Sequence, residues 1–199
     1  VEILIPEAAR ARHKNHHAGF IAAPRFRAMG QGLALSCRRR DGSEFPVEIS
    51  LSPVPTAEGL YTAAAVRDIT ERHRAEQELL AAEEHCRLTF EEAPIGMAIV
   101  SLDGRFQRVN RSLCRILGYA AAELIGRPFV EVTHPDDRGL HLGPTSELFQ
   151  GGIPQYRLAK RYLRPDGRVV DAVVHVSLVR DAHGEPLHNI AQIEDVTER

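Results

Sequence analysis

The chain has 199 residues, enough for one large domain or two small ones. Hydrophobic residues make up 43% and charged residues 26%, which excludes a disordered chain. The net charge of −2 gives no support to a nucleic-acid or membrane-surface role, and no apolar run approaches the roughly 18 residues that a bilayer span needs.

Val1 to Pro6 reads as a short buried segment, and position 1 as mid-domain. Glu7 to Ala22 has helical composition and is closed by Pro24. Leu33 to Cys37 alternates as a strand, and Arg38-Arg39-Arg40-Asp41-Gly42 is expected as a solvated hairpin tip. Glu44 to Ser52 also alternates, with Phe45, Val47, Ile49 and Leu51 on one face. Pro53-Val54-Pro55 and Glu58-Gly59 predict a turn before a third strand, Leu60 to Val66. Asp68 ends the strand run and Thr70 is a good helix N-cap, since its oxygen accepts an orphan first-turn N–H. From Glu71 to Glu92 there is no Gly or Pro, which predicts a helical rod of roughly 33 Å.

After Pro94 a fuller version of this plan begins. Gly96 to Leu102 and Arg105 to Val109 read as strands joined by Asp103-Gly104. Asn110 caps a helix ended by Gly118-Tyr119, and short helical pieces follow at 121–124 and 129–130. His134 opens a longer helical region ending near Gly151-Gly152. Three strands close the unit: Tyr156 to Arg164, Val169 to Arg180 and Leu187 to Val196. Asp41-Gly42 recurs as Asp166-Gly167, and Asp68-Ile69-Thr70 as Asp195-Val196-Thr197, a repeat at a period of about 125 residues. The residues thus give two α/β units with a helical connector, the first lacking its N-terminal half and a second rod cut off at Arg199.

Five ordered motifs in the second copy carry a resemblance. They are Asn110-x-x-x-Cys114-x-x-Leu117-Gly118-Tyr119, Glu123-Leu124-Ile125-Gly126, His134-Pro135-Asp136-Asp137, Tyr162-x-Arg164-x-Asp166-Gly167 and Asp195-x-Thr197-Glu198-Arg199. The first copy matches through Arg39-Arg40-Asp41-Gly42-Ser43-x-Phe45-Pro46-Val47-Glu48 and Arg67-Asp68-Ile69-Thr70-Glu71-Arg72. The chain resembles tandem PAS domains, the sensor folds of bacterial signalling proteins. The resemblance implies an α+β fold, an antiparallel sheet flanked by short helices. It gives half a PAS domain over 1–72, a coiled-coil-like connector over 73–92 and a complete PAS domain over 93–199.

His13, His16 and His17 share a helix face, but no Cys or carboxylate completes a metal site, and a solvated basic face is expected. In haem-binding PAS oxygen sensors the proximal histidine occupies this helix, and aligning on Pro6-Glu7 and Gly30 places His13 there. The oxygen-contacting arginine of those sensors falls near Leu33, which cannot donate a hydrogen bond. A haem-based gas or redox sensor is therefore an alternative that needs His13 buried and facing a cavity. Flavin is not expected: light-sensing relatives carry an Asn-Cys-Arg run where this chain has Pro128-Phe129 after Gly126-Arg127, and Cys114 lies earlier, as a small core hydrophobe. Cys37, Cys86 and Cys114 are far apart and odd in number, which fits a reduced, cytoplasmic setting.

Asp136 and Asp137 are adjacent and cannot act jointly on one bond, and no Ser/His/Asp grouping stands out, so no active site is read. The resemblance gives Asp68/Thr70 and Asp195/Thr197 the role of signal junctions that tie the last strand to the following helix. The connector, with Ile69, Leu79, Leu80, Cys86, Leu88 and Phe90 interrupted by Glu76 and Glu83, predicts marginal homodimeric pairing. The expected function is non-catalytic sensing and transmission to a histidine kinase or a cyclic-di-GMP enzyme. A small ligand is placed among Ile99, Phe106, Leu117, Phe129, Tyr156, Val174 and Ile190; a ligand-free protein–protein interaction module is the other alternative.

Overall fold

The structure, a computed structural model, describes residues 2–23, 25–28 and 35–197. It divides into two compact units, Val1–Ala82 and Glu83–Arg199.

In the first unit, 3-10 turns at Glu2–Leu4 and Glu7–Ala9 lead into α1, Arg10–Ala22. The opening segment is not the buried one expected. Ile5 and Pro6 are buried, whereas Ile3 and Leu4 face solvent, because a 3-10 turn shares its residues among several faces. Pro24, Gly30, Leu33 and Ala34, used in the sequence reading, lie outside the described residues. Strands β1 (Leu35–Arg38), β2 (Glu44–Thr56) and β3 (Gly59–Asp68) form an antiparallel sheet in that order. Gly42, with φ +89, supplies the left-handed residue of the β1–β2 hairpin, and the Asp41 carboxylate accepts the Ser43 N–H.

β2 runs straight through Pro53 and Pro55, where a turn was expected; Pro53 pairs with Thr62 and Pro55 with Leu60. The reason is directional. Leu51 donates its N–H to Arg27, on the side away from β3. Backbone directions alternate along a strand, so residues 53 and 55 also face that side, where no ladder partner is lost by their missing N–H groups.

Helix α2 covers Thr70–Glu91 and carries no buried residue. In the second unit, β4 (Gly96–Val100), β5 (Phe106–Val109), β6 (Gln155–Leu163), β7 (Val169–Arg180) and β8 (Pro186–Asp195) form a sheet ordered β5-β4-β8-β7-β6. Between β5 and β6 come α3 (Arg111–Leu117), α4 (Ala121–Leu124), 3-10 turns at Phe129–Glu131 and Pro135–Asp137, and α5 (Leu142–Phe149). The single helical region expected from His134 is thus two pieces, with Gly139, a poor helix residue, in the break between them.

The core is packed between one sheet face and these helices by Ala98, Phe106, Leu113, Leu117, Leu124, Val132, Tyr162, Val174 and Ile193. Gly96 on β4 has no room for a side chain: a Cβ there would lie 3.0 Å from Leu113 and 3.1 Å from the Ile193 carbonyl oxygen. Asn110 fixes the helices to the sheet. Its side-chain oxygen accepts the Leu113 N–H, capping α3, and also the Met97 N–H of β4; its amide donates to the carbonyls of Phe90 and Ile95.

Candidate functional site

Between the inner face of the five-stranded sheet and the helices lies a cavity of about 230 Å³. That is below the ~300–1,000 Å³ of pockets for drug-sized ligands, so it suits a smaller molecule. Its walls are mostly apolar, with Phe106, Phe129, Val174 and Val176 prominent. Phe129 sits edge-on to His141, with ring centres 4.8 Å apart. The Tyr156 and Thr145 hydroxyls hydrogen-bond at 3.0 Å.

The polar groups are few and unusual. Lys160 is buried, its ammonium 4.5 Å from the centre of the Tyr162 ring and 4.8 Å from that of Phe129. Its hydrogen-bond partner is the Thr133 hydroxyl, at a long 3.4 Å. Burial lowers its pKa to about 8, with Asp137 pulling weakly the other way. Asp137 itself is committed elsewhere. The backbone N–H and guanidinium of Arg161 bind it, holding its carboxyl at about 2. At the other end of the sheet face, the side-chain oxygen of buried Asn189 has no hydrogen-bond partner among the described residues.

Of the seven residues expected around a ligand, Phe106, Phe129, Tyr156 and Val174 line this cavity. Ile99, Ile190 and Leu117 do not. Ile99 pairs with Ile190 on the opposite face of the sheet, because the neighbouring Val100, Asn189 and Ala191 take the inward positions. Leu117 is fully buried in the core under α3, away from the cavity wall. Lys160 and Asn189 escaped the sequence reading. The available signal was strand period: Tyr156, Leu158, Lys160 and Tyr162 share one face of β6, so the lysine stands in an inward register.

The two junctions are built alike. Ile69 donates its N–H to the Pro46 carbonyl, and Val196 to that of Asp171, the corresponding positions. Asp68 accepts the Thr70 N–H and hydroxyl, and Asp195 accepts the Thr197 N–H. They differ in one respect. Asp171 has a backbone N–H and donates it to the Thr197 hydroxyl, whereas Pro46 has none, leaving the Thr70 hydroxyl to Asp68. Arg39 is no mere solvated tip residue. It donates to Asp68 at 2.8 Å and lies 4.0 Å from the Phe45 ring centre. The hydrogen bonds from Thr70, then Arg39, lower the Asp68 pKa to about 2. Glu198 and Arg199 lie outside the described residues.

His13 is half-exposed on α1 and stacks on His17, with ring centres 6.0 Å apart. Since α1 buries no residue, the described surroundings do not fit haem, which needs an apolar enclosure around its axial ligand. Among the described residues, no group of three His, Cys, Asp or Glu side chains is placed to hold a metal, and no helix is long and apolar enough to cross a membrane.

An antiparallel sheet ordered β5-β4-β8-β7-β6, with short helices enclosing a small cavity, defines an α+β sensor fold. Family models agree: one described as PAS fold matches residues 84–196, and one described as PAS domain matches 18–71. The chain belongs to the PAS family, as a tandem of two, and is a sensory module of the kind carried by signalling proteins. It is 42% identical over 126 residues to a probable diguanylate cyclase, DgcE, of Escherichia coli (strain K12), covering 63% of this chain and 11% of that protein. It is 28% identical over 136 residues to the sensor histidine kinase TmoS of Ectopseudomonas mendocina, covering 67% of this chain and 14% of that one. The chain therefore spans a small fraction of either relative. The PAS domain of an HTR-like protein from Haloarcula marismortui shares the fold, with TM-score 0.53, 24% identity, and coverage of 62% of this chain and 99% of that one.

Proposed function

We propose that this chain senses a small molecule in the cavity of its second unit and passes the occupancy, through the Asp195/Thr197 junction, to an output region of a longer bacterial protein. The chain does the sensing and no chemistry. One observation carries this reading: cavity wall and junction share two strands. Val174 and Asp171 are three positions apart on β7, and Ile193 and Asp195 two apart on β8. At about 3.3 Å per residue, a displaced wall reaches the junction within roughly 10 Å. The higher identity to a probable diguanylate cyclase than to a sensor histidine kinase favours a cyclic-di-GMP output. The setting is cytoplasmic, where that nucleotide chemistry takes place.

Occupancy can be imitated without knowing the ligand. Ala191 faces the cavity, and Ala191→Leu fills part of it. The substitution should change amide exchange at Val196 and Thr197 several-fold. Exchange altered only at the cavity wall would refute transmission through the junction.

Self-association belongs to the same reading, with α2 as the paired element. Leu79 and Cys86, one heptad apart on it, are both exposed. In a parallel pair the two Cys86 thiols meet, so mild oxidation should give a covalent dimer that Cys86→Ser abolishes. A dimer persisting in that variant, or none forming, would refute this pairing.

A further inference from the structure

The cavity contains two polar groups whose needs the protein leaves unmet, and together they define a ligand. Lys160 is buried, and among the described residues no carboxylate lies within 4.0 Å of its ammonium; Asp137, the acid acting on it, is bound by Arg161. An ammonium has three donors, and the Thr133 hydroxyl accepts one at long range. Asn189 presents a buried carbonyl oxygen with no donor among the described residues. Buried polar groups are nearly always paired, so an unpaired one needs an explanation. An ammonium that meets one long hydrogen bond and two aromatic rings but no carboxylate, and an acceptor with no donor among the described residues, stand on the wall of one cavity. They call for an anion and a hydrogen-bond donor.

Sheet register spaces these two demands. Lys160 pairs with Ala172, which pairs with Asp195 of β8. Asn189 lies six positions earlier on that strand, opposite Val100. The anionic and donor ends of the ligand are therefore remote from one another. The wall between them is apolar, including Phe106, Val174, Val176 and Ala191. The donor is a hydroxyl rather than an ammonium, because the lining offers a second cation nothing buried. Asp103, the acid on the lining, is exposed and already bound by Ser101 and Arg105.

We infer that the cavity binds a small carboxylic acid with an apolar body and a hydroxyl at the far end, the carboxylate on Lys160 and the hydroxyl donating to Asn189. This deepens the sensory reading and rests on it. Suitable probes are 4-hydroxyphenylacetate and 6-hydroxyhexanoate, measured by calorimetry and thermal shift on the whole chain. Either should bind and, at about tenfold above its Kd, raise the melting temperature by about 5 °C. Replacing carboxylate by amide (4-hydroxyphenylacetamide), or removing the hydroxyl (phenylacetate), should weaken binding about 10- to 100-fold. Tyramine, with a cation in place of the carboxylate, should not bind.

Lys160→Met should abolish binding of the acids, and Asn189→Leu should erase the preference for the hydroxyl. Because Lys160→Met is expected to fold at least as well as the parent, loss of binding in it is not a folding artefact. If neither acid binds, or if both bind Lys160→Met equally well, the inference is overturned. The sensory reading has its own readout: a response of the junction to Ala191→Leu without binding of either acid would sink the ligand class and leave transmission standing.

Discussion

Replacing Asn110 with alanine should destabilise the second unit by about 4 kcal/mol, a loss large enough to unfold many domains of this size. The side chain is fully buried and makes four hydrogen bonds, to the N–H groups of Met97 and Leu113 and the carbonyls of Phe90 and Ile95. Alanine removes all four and leaves these backbone groups to find other partners, at about 1–3 kcal/mol for each one that stays buried. Leu113 is itself fully buried, so water cannot readily replace its partner. Aspartate should not rescue the variant. It keeps an acceptor for the two N–H groups but turns a second carboxylate oxygen toward two carbonyls. Urea denaturation would check both variants; an Asn110→Ala change below 1 kcal/mol would show that the network is not cooperative.

Lys160→Met should act in the opposite direction and stabilise the unliganded second unit at neutral pH, by about 3 kcal/mol on an order-of-magnitude view. The lysine is charged when unfolded and is held in the fold with its pKa lowered from 10.5 to about 8. The unfolded chain therefore binds more protons between pH 8 and 10.5, and stability rises with pH across that window. Tyr162, packed against the ammonium, has its pKa raised by burial from 10.0, so it works in the other sense above about pH 10. Asp137 is ionised throughout, and His141, held below its usual value by burial and by Lys160, is neutral throughout. Between pH 8 and 9.5 the parent should gain about 2 kcal/mol relative to Lys160→Met. That comparison cancels Cys114, whose thiol burial pushes up and which lowers the stability of both as pH rises. Parallel profiles of parent and Lys160→Met would mean that the ammonium is better solvated than its burial indicates.

These two residues mark what was legible in the sequence. Asn110 is readable as a helix cap because its partner, Leu113, is three residues away. Its bonds to Phe90, Ile95 and Met97 are set by the tertiary fold, and no local pattern announces them. The repeat, the Asp-Gly hairpins and the Asp-x-Thr junctions are likewise local devices, and they were visible. Faces of strands were harder. In β4 both registers are apolar, with Ala98 and Val100 inside and Met97 and Ile99 outside, so alternation does not say which side meets the helices. That is why Ile99 and its partner Ile190 were misassigned to the cavity. In β6 the inward register contains a lysine, and alternation alone does not say whether such a charge is buried or solvated, which hid the cavity's most informative group. The prolines of β2 misled for a related reason, since the direction of a missing N–H depends on which side of the strand is unpaired.

On the proposed reading, the cavity and the Asp195/Thr197 junction are one mechanical unit. The most direct measurement is residue-resolved amide exchange of the parent, Ala191→Leu, and Ala191→Leu carrying Asp195→Ala. Several-fold changes are expected at Val196 and Thr197 in Ala191→Leu. In the double variant, Asp195→Ala removes the acceptor of the Thr197 N–H, so that amide should exchange fast and lose its response to the cavity. Changes confined to residues around Val174 and Ala191, with the junction amides unmoved, would contradict that reading.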